Sequence, residues 1–137
     1  MTRLMFRRLG TVYDGPIVVQ NAGAPNIPLN GEQIARLVEE IPQIQYVKEE
    51  RQPGPRHIAE VVERGGSHLK TIFGGAAGKV LPAELQRGAN GCMPACELGD
   101  VLSRVVEMWW EGDEEGSRAL HRRVLPLLQL ESHAFMR

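Results

Sequence analysis

Apolar residues fall along this chain in two kinds of run that alternate with one another. Pro16-Ile17-Val18-Val19-Gln20, Ile44-Gln45-Tyr46-Val47 and Leu69-Lys70-Thr71-Ile72-Phe73 are short, rich in β-branched and aromatic residues, and bounded by Gly, Pro or Asn, as strands are. Between them the spacing changes to three and four. Leu4, Met5, Leu9 and Val12 predict a first helix, and Ile34, Leu37, Val38 and Ile41 a second. Ile58, Val61 and Val62 mark a third, and Val80, Leu81 and Leu85 a fourth. Leu98, Val101, Leu102, Val105 and Trp109 predict a helix from Glu97 to about Trp110, and a last helix runs from about Glu115 past Leu130 around Pro126.

The punctuation agrees with these periods. Asn30 with Gln33 three residues later is a capping box, and Pro42 stops the helix that it opens. Pro55 stands at a first helical position, with Gly65-Gly66 as that helix's stop. Asn90-Gly91-Cys92-Met93-Pro94 is short enough to be a turn, yet its place after a helix predicts a fourth strand. The order is a helix, four strand-helix units and one extra helix. Such alternation with short loops implies parallel strands joined by right-handed crossovers. An open doubly wound sheet and part of a (β/α) barrel both satisfy it; a whole barrel takes about 250 residues, so 137 supply about half of one.

Composition narrows the class. With 42% hydrophobic residues the chain can bury a core as one domain, 1–137, in which 97–137 form C-terminal helices. A net charge of -1 argues against a nucleic-acid surface, and no run approaches the ~20 apolar residues of a membrane span, so the expectation is a cytoplasmic protein. Cys92 and Cys96 lack a second pair or a nearby histidine, which leaves reduced structural thiols and no metal site. His57, His68, His121 and His133 are scattered and read as exposed, and Trp109-Trp110 as a packing surface. Gly74-Gly75-Ala76-Ala77-Gly78 before a helix could cradle a phosphate, but it lacks the Gly-Lys-Ser/Thr of a P-loop.

The chemistry that stands out is a lysine. Alternation along Ile44–Glu50 places Ile44, Tyr46 and Lys48 on one face and Gln45, Val47 and Glu49 on the other. An amine on an apolar interior face is desolvated, which favours the neutral nucleophile that an imine requires. The plain alternative is a strand-end lysine that snorkels to water.

Four stretches fall at predicted carboxyl ends of strands, where parallel α/β folds gather ligands: Gln20-Asn21, Lys48-Glu49, Phe73-Gly74-Gly75 and Met93-Pro94. Together they resemble the dihydrodipicolinate synthase and N-acetylneuraminate lyase family of Schiff-base aldolases. Tyr46-Val47-Lys48-Glu49 is similar to that family's lysine strand, and Arg87-Gly88-Ala89-Asn90-Gly91-Cys92-Met93-Pro94 to its eighth-strand segment. The resemblance spans nearly the whole chain and implies a partial TIM (β/α) barrel, strands five to eight. It implies Lys48 as the imine-forming residue toward a 2-oxo acid, Gln20 at the position of the proton-relaying tyrosine, and Asn21, Gly74, Gly75 and Met93 around the substrate. No cofactor is implied.

Departures from the family bear on the chemistry. Gln20 can hydrogen-bond but cannot relay protons near neutral pH, so water or Glu49 would have to substitute. Ala22-Gly23 replaces a usual valine-proline, and Pro25 stands where synthases bind substrate with arginine. The carboxylate-binding loop of the family's second strand has no counterpart. These features favour sugar-acid dehydratase-like branches, and they keep two other classes in view: a non-catalytic half-barrel used for interaction or assembly, and an open-sheet ligand-binding domain. A half-barrel exposes two sheet edges, so the expectation is a homo-oligomer or pairing with an N-terminal half.

Overall fold

The computed structural model describes residues 2–23, 27–65, 68–94 and 96–134. Pro25 and Gly66 lie outside them, as does the side chain of His133. Helix α1 (Thr2–Val12) leads into β1 (Ile17–Asn21), α2 (Gly31–Glu40), β2 (Ile44–Glu49), α3 (Gly54–Arg64), β3 (Thr71–Gly74), α4 (Leu81–Gln86) and β4 (Gly91–Cys92). α5 (Gly99–Trp110) and α6 (Glu114–Ala134) complete it. The sheet has the order β1-β2-β3-β4 and every pairing is parallel. Sequential parallel neighbours on this scale mean that each crossover helix returns the chain one strand over, which is how a (β/α) barrel is laid down.

The caps form as the sequence dictates. The Gln33 N–H donates to Asn30 Oδ1 at 2.9 Å while the Asn30 N–H donates to Gln33 Oε1 at 2.9 Å. Ile17, Val19, Ile44, Val47 and Ile72 then meet Ile34, Leu37, Val38, Ile58 and Val61 in a core between the sheet and α2 and α3. A second core gathers Leu81, Leu85, Leu102, Val105, Trp109 and Leu128 from α4, α5 and α6. Trp109 is buried there with the Arg118 guanidinium 4.9 Å from its ring centroid, whereas Trp110 is exposed and donates to the Asn90 carbonyl.

Strict alternation along β2 fails at one point. Ile44 is buried with Val47 on the helix side, while Tyr46 and Lys48 lie on the opposite face. The cause is an irregularity of the β1–β2 register between Ile17 and Val18, because one extra residue flips everything before it. Two histidines also depart from the expected exposure. His121 is buried with Nε2 2.8 Å from the Gly78 carbonyl, and His57 joins a half-buried cluster with Arg51 and Glu60; His68 is exposed.

Candidate active site

The sheet face turned away from the helices carries Val18 and Gln20 on β1, Tyr46 and Lys48 on β2, and Thr71 and Phe73 on β3, all exposed or half-buried. Register puts Gln20 beside Lys48, Lys48 beside Phe73, and Phe73 beside Gly91 in one row near the carboxyl ends of the strands. Lys48 is mostly enclosed, its side chain 18% exposed, and Nζ lies 3.2 Å from Glu50 Oε1. Gln20 Nε2 donates to the other Glu50 oxygen at 2.5 Å, and the Ala76 N–H to Oε1 at 3.3 Å. Burial raises the Glu50 pKa, but the hydrogen bond from Gln20 and the Lys48 ammonium outweigh it, so the carboxyl is held below its ordinary range.

Glu50 is thus the carboxylate next to Lys48, and Glu49 is not. Strand alternation turns Glu49 to the helix side, where it is fully buried, accepts from Asn21 Nδ2 at 2.7 Å and from the Arg51 N–H at 2.7 Å, and has its pKa raised by burial. Asn21 faces the same way. Its side chain bonds both polar groups of the Leu29 backbone and ties the β1–α2 loop down, so it is not brought to the Lys48 face. Gln20 and Lys48 come together; Met93 follows β4, exposed by 41%, with its N–H on the Gly74 carbonyl at 3.1 Å.

The glycines at the end of β3 have a specific use. A Cβ on Gly75 would overlap the Glu50 side chain, and one on Gly74 would overlap the carboxyl of Glu84, which enters from α4. Glu84 is 1% exposed, and burial, against the Gly75 N–H directed at it and with Glu50 repelling it, raises its pKa to about 7. The same burial, with Glu84 nearby, pushes the Cys92 thiol up to about 12, so this cysteine is no nucleophile at neutral pH. A phosphate cradle at Gly74–Gly78 is ruled out by these contacts, since the Gly75 and Ala76 amides face the chain's own carboxylates. Among the described residues no group of three His, Cys, Asp or Glu is placed to hold a metal, and no helix is long and apolar enough to cross a membrane.

Above Glu50 a cavity of about 300 Å³ opens between the loops after β2 and β3, lined by Glu50, Gln52, Ala76, Lys79 and Val80. Sequence reasoning named neither Lys79 nor Glu50 nor Glu84. For Glu50 the signal was the same two-residue alternation that singled out Lys48, carried one step further.

Four parallel strands wrapped by crossover helices, with a lysine and a carboxylate at the strand ends, define a partial (β/α) barrel with a candidate site at its strand ends. Comparison with known proteins shows what the chain is similar to. No family model matches the chain. Over 127 residues it is 31% identical to L-2-keto-3-deoxyarabonate dehydratase of Azospirillum brasilense, a match that covers 93% of this chain and 41% of that enzyme. Dihydrodipicolinate synthase of Rhodopseudomonas palustris superposes with a TM-score of 0.86 at 25% identity, over 96% of this chain and 46% of that one. The enzyme of Aquifex aeolicus superposes with a TM-score of 0.82 at 22% identity, over 93% and 43%. Over nearly its whole length the chain is thus similar to part of the dihydrodipicolinate synthase family, and it spans less than half the length of these relatives.

Proposed function

We propose that this chain is the lysine-bearing part of a lyase that acts through a Schiff base on 2-oxo acids, cleaving or forming a carbon–carbon bond or dehydrating a 2-keto-3-deoxy sugar acid. The observation that carries it is the Lys48 Nζ–Glu50 contact at 3.2 Å with Gln20 on the far oxygen of the same carboxylate. Loss of a proton from the Lys48 ammonium to solvent leaves a neutral amine, which Glu50 holds in place. That amine adds to the keto carbon, and loss of water gives an imine whose protonated form accepts the electron pair released at the neighbouring carbon. Glu50 then moves the proton that Gln20, as an amide, cannot.

The dehydratase branch is favoured by the 31% identity to a keto-deoxy sugar acid dehydratase. Lys79, with no ion pair among the described residues, lines the cavity over Glu50 and supplies a cation for the substrate's carboxylate or hydroxylated tail. A cytoplasmic enzyme with a small 2-oxo acid as its ligand follows from this reading. Incubation with pyruvate, reduction with borohydride and intact-mass measurement test it: one pyruvyl adduct is expected, lost in Lys48→Ala. A second reading, a half-barrel used only for assembly, draws support from the open inner face, where Val18 is 45% exposed; a folded protein that gives no adduct at millimolar pyruvate would select it. Under either reading the two edge strands call for a covering chain, a second copy or an N-terminal half-barrel.

A further inference from the structure

The segment Gly74-Gly75-Ala76 lies between two carboxyl groups that approach from opposite sides. On one side Glu50 packs on Gly75, where a side chain would collide with it, and accepts from the Ala76 N–H. On the other, Glu84 rises from the first turn of α4 into the space that Gly74 and Gly54 leave free, with the Gly75 N–H directed at it. One Glu84 oxygen, Oε2, is buried with no hydrogen-bond partner in the structure. Orphaned buried carboxyl oxygens are costly and rare, so their retention asks for a reason. The backbone between the two acids is itself held in an uncommon form, Ala76 and Ala77 at φ 51° and 58°, which persists only where neighbouring groups over-determine it.

We propose that Glu84 is a positioning residue for the Lys48–Glu50 pair: through the Gly75 peptide it fixes where Glu50 stands, and its charge sets how firmly Glu50 is held there. This rests on the reading of Lys48 as the imine-forming residue. The titratable groups that face Glu84 are Glu50 beyond β2 and the Cys92 thiol on β4; Gly54 on α3 brings no charge. Protonated, Glu84 leaves Glu50 as the single negative charge of the clamp, matched by Lys48. Ionised, it repels Glu50 across Gly75 and loosens the clamp. The burial that raises its pKa to about 7 puts this change near neutral pH.

Glu84→Gln mimics the protonated form at every pH. Trapping of pyruvate on Lys48 by borohydride, followed from pH 6 to pH 8.5, should therefore agree between the wild-type chain and Glu84→Gln within about twofold at pH 6 and diverge by about fivefold or more above pH 7.5, with the variant faster. Glu84→Leu, which removes the acceptor for Gly75, should trap at least tenfold more slowly than Glu84→Gln throughout. Profiles of wild type and Glu84→Gln that coincide at all pH values overturn the proposal. Amide NMR of the uncomplexed wild-type chain gives a readout independent of imine formation. The Gly75 and Ala76 resonances should titrate near pH 7 and cease to do so in Glu84→Gln. If no adduct forms at all, the Lys48 reading fails, and amides that do not titrate then overturn the clamp as well.

Discussion

Lys48 and Glu84 are both ionisable groups placed where a parallel sheet gathers its chemistry, and they were unequally visible in the sequence. Lys48 interrupts an apolar strand in a wording shared with a known family, so the chain's own text pointed to it. Glu84 sits in a short helix, three residues after the apolar Leu81. A lone acid in a helix gives no signal of burial, because nothing in the sequence says that Gly74 and Gly54 leave room for a carboxyl. Its burial has a thermodynamic consequence. A carboxyl whose folded pKa, about 7, lies above the ordinary 4.5 binds its proton more tightly in the native state. Its contribution to stability is complete below pH 4.5 and is lost as pH rises through 7, on the order of 3 kcal/mol in all. Urea denaturation should show stability falling across this window in the wild-type chain and a flatter profile in Glu84→Gln; equal slopes would contradict the burial argument. Lys79→Ala should raise the pyruvate concentration for half-maximal trapping about fivefold without moving the adduct from Lys48, and an unchanged concentration would remove Lys79 from the site.

At the level of elements, the strand and helix order was legible because each element carries its own period and its own stop signal. The capping box at Asn30 is the clearest case, since both reciprocal hydrogen bonds form. Asn30→Ala should cost about 1 kcal/mol in a urea melt, the usual value of such a cap. The faces of the strands were less legible. A pure alternation assigns Ile44 to the face of Lys48, and the register shift between Ile17 and Val18 overrules it, because pairing irregularities depend on the neighbouring strand and not on the strand's own residues. The same limit explains Glu49 and Asn21. Adjacent positions point to opposite sides of a sheet, so a match to a motif can name a residue whose side chain faces the packing layer. Both here do, and they hold the β1–α2 loop and the start of the segment after β2. Gly74→Ala should destabilise the chain by about 1–3 kcal/mol, since its Cβ would overlap the Glu84 carboxyl, and thermal melts report the loss directly.

At the scale of the whole molecule, the sheet ends in β1 on one side and β4 on the other, and the face that a closed barrel would enclose is open. Met5, Leu9 and Val12 also form an exposed apolar line on α1, at spacings of four and three. Such edges recruit partners, so sedimentation should show association at micromolar concentration, weakened when Leu9→Glu places a charge in that line; a stable monomer would count against the need for a covering chain. The fold class was legible here because chain length and strand order together allow few architectures.

All of these scales converge on whether Lys48 forms the imine. Lys48, Lys70 and Lys79 are the lysines of the chain, so residue-resolved trapping can compare them within one sample. After incubation with millimolar pyruvate and borohydride at neutral pH, peptide mapping should place the pyruvyl group on Lys48 at least tenfold faster than on Lys70 or Lys79. Equal labelling of the three, or none, from protein whose circular dichroism shows it folded, would contradict the account.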